Sequence, residues 1–512
     1  MNRLLTSACL LPLLSSPGIA QTITAALSQD IRSSNPGVNR DGNTDIVMLH
    51  VVEGLVGYSQ GGIPGPLLAE RVDVSPDGKV YTFALRKGVR FHNGAELTSA
   101  DVLWSWNRYM DPKTEWRCLA DFDGRNGTKV VSAEAPGPET FVMTINRLDA
   151  MFLDTMSRPD CGGTGILHKN SVKADGSWDK PVGTGPFSFG EWKRGQSVQL
   201  LAFDAYSSPK GDKRDGFLGA KKALVKEVKI LAIPDGATVK AGLQSGAIDI
   251  SSVPESEVSE IRKSSNLEIR TGTNPVRHGF ILQTRDPLLN NVKIRQALAI
   301  SINYEELVGA VTSGLGKVNN SPVYDTSQYF GQAERKGFSY DPAKAQALLK
   351  EAGYKGEKIS IIANKRATVP SFNSAVVAQQ MWRSVGLNVD IEVLDWATQL
   401  DRYNKGNQMM ASITYSPRFD PALGFEQISG PKDKQPRKVW ENPQALKLIE
   451  KASQTTDAAI RQPIFDELHA MLLEDVPVIF THNDIDCLAH NKRITGLAPW
   501  ASNLILWGVA KN

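Results

Sequence analysis

The run DGKVYTFALRKGVRFHNGAELTSADVLWSWNR, Asp77 to Arg108, decides how this chain is read. Asp77-Gly78 is a turn pair. Val80 to Leu85 is a short stretch rich in β-formers and reads as a strand. Thr98 stands where a helix N-cap belongs, and Asp101 three residues on supplies the acidic half of a capping box. The helix that follows sets Val102, Leu103, Trp106 and Tyr109 on one side, which the spacing predicts to be buried. These signals give a strand, a basic turn and a helix; by themselves they carry no function.

Working outward, the chain has 512 residues, 41% of them hydrophobic. Single cores stop growing near ~250–300 residues, so at least two lobes are expected. Basic and acidic side chains number 58 and 55, a net charge of +3 with no long run of either sign. That excludes a nucleic-acid footprint. The N-terminus has the plan of a signal peptide over residues 1–20. Arg3 is the basic end, Leu4 to Leu14 the apolar stretch, and Gly18-Ile19-Ala20 the small residues of a cleavage site after Ala20. The apolar stretch is shorter than the ~20 residues needed to span a bilayer. An exported protein is therefore expected. Cys9 lacks the leucine that precedes a lipid-modified cysteine. No C-x-x-C occurs, which leaves thiol-redox and zinc-ribbon chemistry without support.

Strands and helices alternate along the chain. Strands are expected at Thr140–Ile145, Val198–Phe203, Glu227–Ile233, Gly279–Gln283, Lys358–Ile362, Asn388–Leu394 and Pro477–Phe480. Helices are expected at Val292–Ile302, Pro342–Ala352, Ser371–Val385, Gln444–Ser453 and Ala458–Glu474. Asp341-Pro342 and Gly353 punctuate one of them at both ends. Such mixing over this length predicts an α/β protein with more than one sheet.

Beyond the opening run, four further blocks follow in order: VGTGPFSFGEWKRGQSVQLLAF (182–203), AGLQSGAIDI (241–250), NVKIRQALAISINYEELVGAVTSGLG (291–316) and SVGLNVDIEVLDWATQLDRY (384–403). Together they resemble the extracytoplasmic solute-binding proteins of family 5, the peptide, opine and nickel class that serves bacterial ABC importers. The resemblance implies a type II periplasmic-binding-protein-like fold: two lobes, a hinge and an extra inserted domain. It divides the chain into a discontinuous first domain (21–54, 181–272 and 481–512), an inserted second (55–180) and a third (273–480). Thr271 to Pro275 and Asp475-Val476-Pro477 would then cross the hinge. Cys118 and Cys161 fall in the same implied domain and are the expected disulfide; Cys487, far along the chain, is expected to be a buried free thiol. The alternative is that all three are small apolar fillers.

Catalytic signatures are missing from the sequence. There is no G-x-S-x-G elbow and no H-E-x-x-H. The seven histidines include no pair at i,i+3 or i,i+4, so no helical metal site is expected, and no cofactor. His482 and His490 read as surface or capping residues. Gly183-Thr184-Gly185-Pro186 is too short for a phosphate loop, and the resemblance makes it a tight turn at the lobe crossover. Gly314 to Lys317 lacks the spacing of a nucleotide loop. Glu305-Glu306 reads as a solvated helix face.

Recognition without reaction remains. The chain has ten tryptophans, and flat aromatic side chains suit amphipathic ligands. Trp396 and Tyr415 match positions where family members turn an aromatic toward the ligand; core packing is the bland reading of each. Peptide-binding members carry an Asp three residues after a cleft aromatic, where it pairs with the peptide's amino group. Here the segment is Tyr415-Ser416-Pro417-Arg418-Phe419-Asp420, and Arg418 occupies that place. A guanidinium repels an ammonium and suits a carboxylate or phosphate. Three readings stay open. Asp420 takes over the amine of a short peptide; or the ligand presents an anion, as an opine or an N-blocked amino-acid conjugate does; or Arg418 and Asp420 pair with each other or with nearby backbone. Ser416 is included with these four as a ligand contact. Arg277 and His278 open a strand of the third domain, from which they reach either the cleft or solvent.

The expectation is a monomeric receptor, not an enzyme, that closes on its solute and hands it to a membrane permease driven by cytoplasmic ATPases. Rival readings are a nickel-chelate or haem receptor of the same family, a secreted hydrolase, and a chaperone or signalling receptor on the same fold.

Overall fold

A computed structural model describes residues 22–38, 41–366, 369–431, 433, 435–500 and 504–512. The expected signal peptide lies outside the described residues. No helix among them is long and apolar enough to cross a membrane.

The organising element is a ten-stranded mixed sheet. In chain order its strands are β1 (Thr22–Leu27), β2 (Phe187–Lys193), β3 (Ser197–Ala202), β4 (Glu227–Ala232), β5 (Ile250–Ser252), β6 (Leu267–Leu282), β7 (Ile359–Ala363), β8 (Val389–Val393), β9 (Met410–Tyr415) and β10 (Val478–Asn491). They lie in the order β8-β7-β9-β6-β10-β5-β1-β4-β3-β2. Four helices matter below: α1 (Ser99–Met110), α2 (Trp396–Lys405), α3 (Pro421–Ile428) and α4 (Ala458–Asp475). The molecule is mixed α/β with more than one sheet, as the alternation of elements predicts.

The opening run folds locally as its residues dictate. Tyr81, Phe83 and Leu85 alternate into the core while their neighbours stay half-exposed. The Thr98 hydroxyl and backbone N–H both donate to Asp101, at 2.8 and 2.9 Å, closing the capping box of α1. Val102, Trp106 and Tyr109 are buried; Leu103 is half-exposed, at the edge of the packed face. Strand and helix belong to a separate four-stranded sheet built from Ala69–Val74, Val80–Leu85, Thr140–Ile145 and Val130–Gly137. Its core stacks Trp116 on Phe122, with ring centroids 5.3 Å apart, and contains the disulfide between Cys118 and Cys161. Cys487 is free and buried.

Two strands are much longer than the sequence pattern suggests. β10 runs for 14 residues rather than the four of Pro477–Phe480, and β6 for 16. They pair antiparallel along most of that length and join the two halves of the sheet. The ladder is interrupted between Thr273 and Arg277. Pro275 sits in that gap, where a residue without an N–H is tolerated inside a sheet. The His482 and His490 side chains are buried in this ribbon, not on the surface, and the His482 ring stacks on His278.

Gly183 and Gly185 show why the 182–203 block is glycine-rich. A Cβ on Gly183 would lie 2.1 Å from the Val51 carbonyl oxygen, and one on Gly185 would lie 2.3 Å from that of His50. The Gly185 N–H donates to Val51 O at 2.9 Å. Two backbones therefore touch directly where the chain returns from the four-stranded unit to the main sheet.

Candidate ligand cleft

Ligands of open α/β sheets bind beyond the carboxyl ends of parallel strands. Here two parallel sets exist. β1 runs parallel to β4 and β5, and β7 runs parallel to β8 and β9. β5 lies antiparallel to β10 with Ser252 opposite Leu488, so its carboxyl end points toward the ladder gap. β9 lies antiparallel to β6 with Tyr415 opposite Arg277, so its carboxyl end points at the same gap from the other side. Both lobes therefore aim their strand ends at residues 274–278 and 481–486. A cavity of about 220 Å³ lies beside this junction, lined by Ser28, Asn43, Ser252, Glu255, Asp484 and Asp486 among others. A larger hollow, about 510 Å³, is lined by Gln283, Ser360 and Met409 at the opposite ends of β6, β7 and β9, and so is not part of the cleft.

The junction itself is polar and tightly bonded. Asn274 Nδ2 donates to Asp484 at 3.3 Å and to Asp486 at 2.9 Å. His278 Nε2 lies 2.8 Å from Asp484 Oδ1, its Nδ1 lies 3.1 Å from the Thr414 hydroxyl, and its ring stacks on His482 at 4.6 Å. Burial pushes the His482 pKa well down, and the neighbouring His278 adds to that. Glu255 is pushed up by burial and by Asp484.

The residues singled out in sequence lie at the carboxyl edge of the β7–β9 set, in different surroundings. Trp396 opens α2, half-buried, with the Arg366 guanidinium 3.9 Å from its ring centroid. Tyr415 ends β9 and is buried; its hydroxyl pKa is pushed well above the ordinary value by burial and by Tyr403. Ser416 is half-buried. Asp420 is fully engaged. It caps α3 by accepting from the Ala422 N–H at 2.8 Å, and both its oxygens accept from Arg461 of α4, at 2.6 and 2.7 Å. Arg461 in turn donates to the Tyr329 hydroxyl at 3.1 Å. Asp420 and Arg418 do not pair with each other.

Arg418 faces the four-stranded unit. It donates to its neighbour's carbonyl, Pro417 O, at 2.7 Å, and its only carboxylate contact among the described residues is Asp160 at 3.5 Å. Asp160 is more closely held by Arg158 at 2.9 Å and Arg117 at 3.1 Å. Burial alone would push the Asp160 carboxyl up, but Arg158, Arg418 and Arg117 outweigh it and hold it well below the usual range. Burial, then Arg158, lowers Arg418 to about 10 against the pull of Asp160. Phe419, between the two, packs across the lobes on Trp500 (5.3 Å, stacked) and Tyr58 (4.7 Å).

Arg277 carried two readings in sequence, cleft or solvent, and the solvent reading fails. Its side chain is 2% exposed. It donates to Pro322 O at 2.7 Å and to Gln427 Oε1 at 2.5 Å, with the Tyr415 and Phe480 rings 5.9 and 5.7 Å from its guanidinium carbon. Arg158, Asp160 and Arg461 carried no signal in the sequence, since each is a single charged residue in an unremarkable context. Only folding brings them to this edge.

Residues 64–435 match the family described as "Bacterial extracellular solute-binding proteins, family 5 Middle". The chain belongs to that family. Among relatives of this family-5 solute-binding protein, the di/tripeptide-binding protein 1 of Pseudomonas aeruginosa is 28% identical over 464 residues, covering 83% of this chain and 81% of that protein. Two solved structures align over 96% of this chain at 25% identity. One is the periplasmic binding protein AgaA of A. tumefaciens R10 with agropinic acid (TM-score 0.81, 99% of that chain). The other is DppA of Helicobacter pylori with the peptide STSA (TM-score 0.82, 98% of that chain).

Proposed function

We propose that this family-5 protein is the extracytoplasmic receptor of an ABC importer, and that it captures an acidic, peptide-like or opine-type solute between its lobes. The ligand contacts both lobes, and its higher affinity for the closed form draws the open–closed equilibrium toward closure. The loaded form then docks on a membrane permease. One observation carries the ligand class: the two oxygens of Asp420 are held by Arg461, so that carboxylate is not available to a peptide's ammonium. At the position where peptide-binding relatives place their acid stands Arg418, whose grip on Asp160 is long. A charged group at that place favours a carboxylate over an amine. Trp396, Tyr415 and Ser416 supply the surrounding surface in this reading.

Native mass spectrometry of protein purified without refolding tests it by weighing the co-purified solute, with calorimetry against free and N-acetylated dipeptides. An acidic solute, and preference for the N-blocked peptide, is the expected result. Strict preference for a free amino terminus overturns the anion reading.

A further inference from the structure

Charge does not balance at this edge of the cleft. Six cations gather here: Arg117, Arg158 and Arg418 share Asp160, Arg277 and Arg437 share Gln427, and Lys438 pairs with Glu426. Facing them are Asp121, Asp160 and Glu426, which pair with Arg158, Arg418 and Lys438 among others. A fourth carboxyl, Asp45, touches Arg117 at 3.2 Å. Burial pushes it up to about 8 against the pull of Arg117, with Asp160 adding to the rise.

Arg277 is the extreme member. Both terminal nitrogens donate to neutral oxygens, and Nε finds no acceptor among the described residues. No carboxylate pairs with it there, and the charged side chain acting on it most is Arg418, a second cation; burial, then Arg418, lowers it to about 9. The aromatic faces of Tyr415 and Phe480 offset only part of such a cost. A buried, unpaired charge is strongly unfavourable and is retained where something else neutralises it. The fold makes room for this one. A Cβ on Gly424 of α3 would lie 2.7 Å from Arg277 Nη1.

We propose that Arg277 and Arg418 together receive a solute that brings two negative charges to this end of the cleft. The shared chemistry is a dianionic end, either a second carboxylate or a phosphoryl group. The proposal rests on the reading of the cleft given above and narrows its ligand class from acidic to doubly acidic.

Calorimetry on ligand-stripped protein with N-acetylglutamate and N-acetylglutamine decides it, since these probes differ by one charge at nearly constant shape. N-acetyl-phosphoserine separates the phosphoryl source from the dicarboxylate one. The wild type is expected to favour a dianion by at least about 30-fold, the effect of one buried charge pair. Arg277→Gln should remove that preference, weakening N-acetylglutamate by at least about 30-fold and N-acetylglutamine by clearly less. Arg277→Lys, which keeps the charge and loses the planar fork, should fall between. Equal affinity for the two N-acetyl probes, or no binding of any dianion, overturns the proposal. If Arg418→Gln weakens all acidic probes while Arg277→Gln changes none, the cleft reading stands and this inference alone falls. If only free-amine dipeptides bind, both fall.

Discussion

At the scale of single residues, Asp420 shows how one signal supports two incompatible readings. Asp-Pro at 420–421 has the form of an N-cap with proline in the first turn, the same pattern that marks Asp341-Pro342. The family resemblance implies a ligand contact there instead. Its partner, Arg461, lies 41 residues away and nothing in the sequence joins them. With side chains 10% and 3% exposed, the pair is buried. Asp420→Ala should therefore cost about 3–5 kcal/mol of stability, read as a shift in the urea midpoint, and change ligand affinity little. A large affinity loss at unchanged stability would return Asp420 to the binding site. His50 makes a second residue-scale prediction. Its Nδ1 donates to Ile46 O at 2.9 Å, and its Nε2 accepts the Leu506 N–H at 3.1 Å, so the fold needs a neutral ring. Burial lowers its pKa from 6.5 to about 4. Between those values the unfolded chain takes up a proton that the folded chain refuses. Stability should thus fall as pH drops from 6.5 toward 4, by up to about 1.4 kcal/mol per pH unit. His50→Gln should flatten that slope in denaturation curves collected across the window.

At the scale of elements, the sequence was most legible where pattern and surroundings agree. The capping box of α1, the strand at Val80–Leu85 and the helix at Pro342–Glu351 follow from local signals, alternation in the strand and marked ends in the helices. β6 and β10 were legible only in part. Residues 481–491, THNDIDCLAHN, lack both alternation and an apolar run. They form a strand because neighbours on both sides satisfy their backbone and because their polar side chains bond Asn274 and His278 of β6 at the junction. Composition carries no trace of that. The glycines at 183 and 185 are legible as a turn, but the backbone they touch is not. Gly183→Ala should cost about 1–3 kcal/mol or more, the usual range for overpacking, since the obstacle is a main-chain carbonyl rather than a movable side chain. A melting point unchanged from the wild type would show that the return segment yields.

At the scale of the whole molecule, the lobes meet through a few named contacts. Phe419 stacks on Trp500, Gln435 donates to Asn126 at 2.8 Å, the Ala150 N–H donates to Ser453 O at 2.8 Å, and Arg418 reaches Asp160. Asp160→Asn leaves Arg158 its bond to Asp121 but removes the carboxylate facing Arg418. In solution scattering, the empty variant should have a larger radius of gyration than the empty wild type, and ligand should restore the compact value. Identical curves for both empty proteins would mean that Asp160 does not hold the lobes together.

The interruption between Thr273 and Arg277 has a further consequence. Lobe motion that passes through a paired ribbon concentrates its twist where rungs are missing, and here the slack is taken up by Asn274, whose side chain spans to Asp484 and Asp486 while its own oxygen holds the Val276 N–H. Deuterium uptake at those few amides should therefore slow when the protein is occupied. A stretch of three residues would then serve as a reporter of whether the receptor is full.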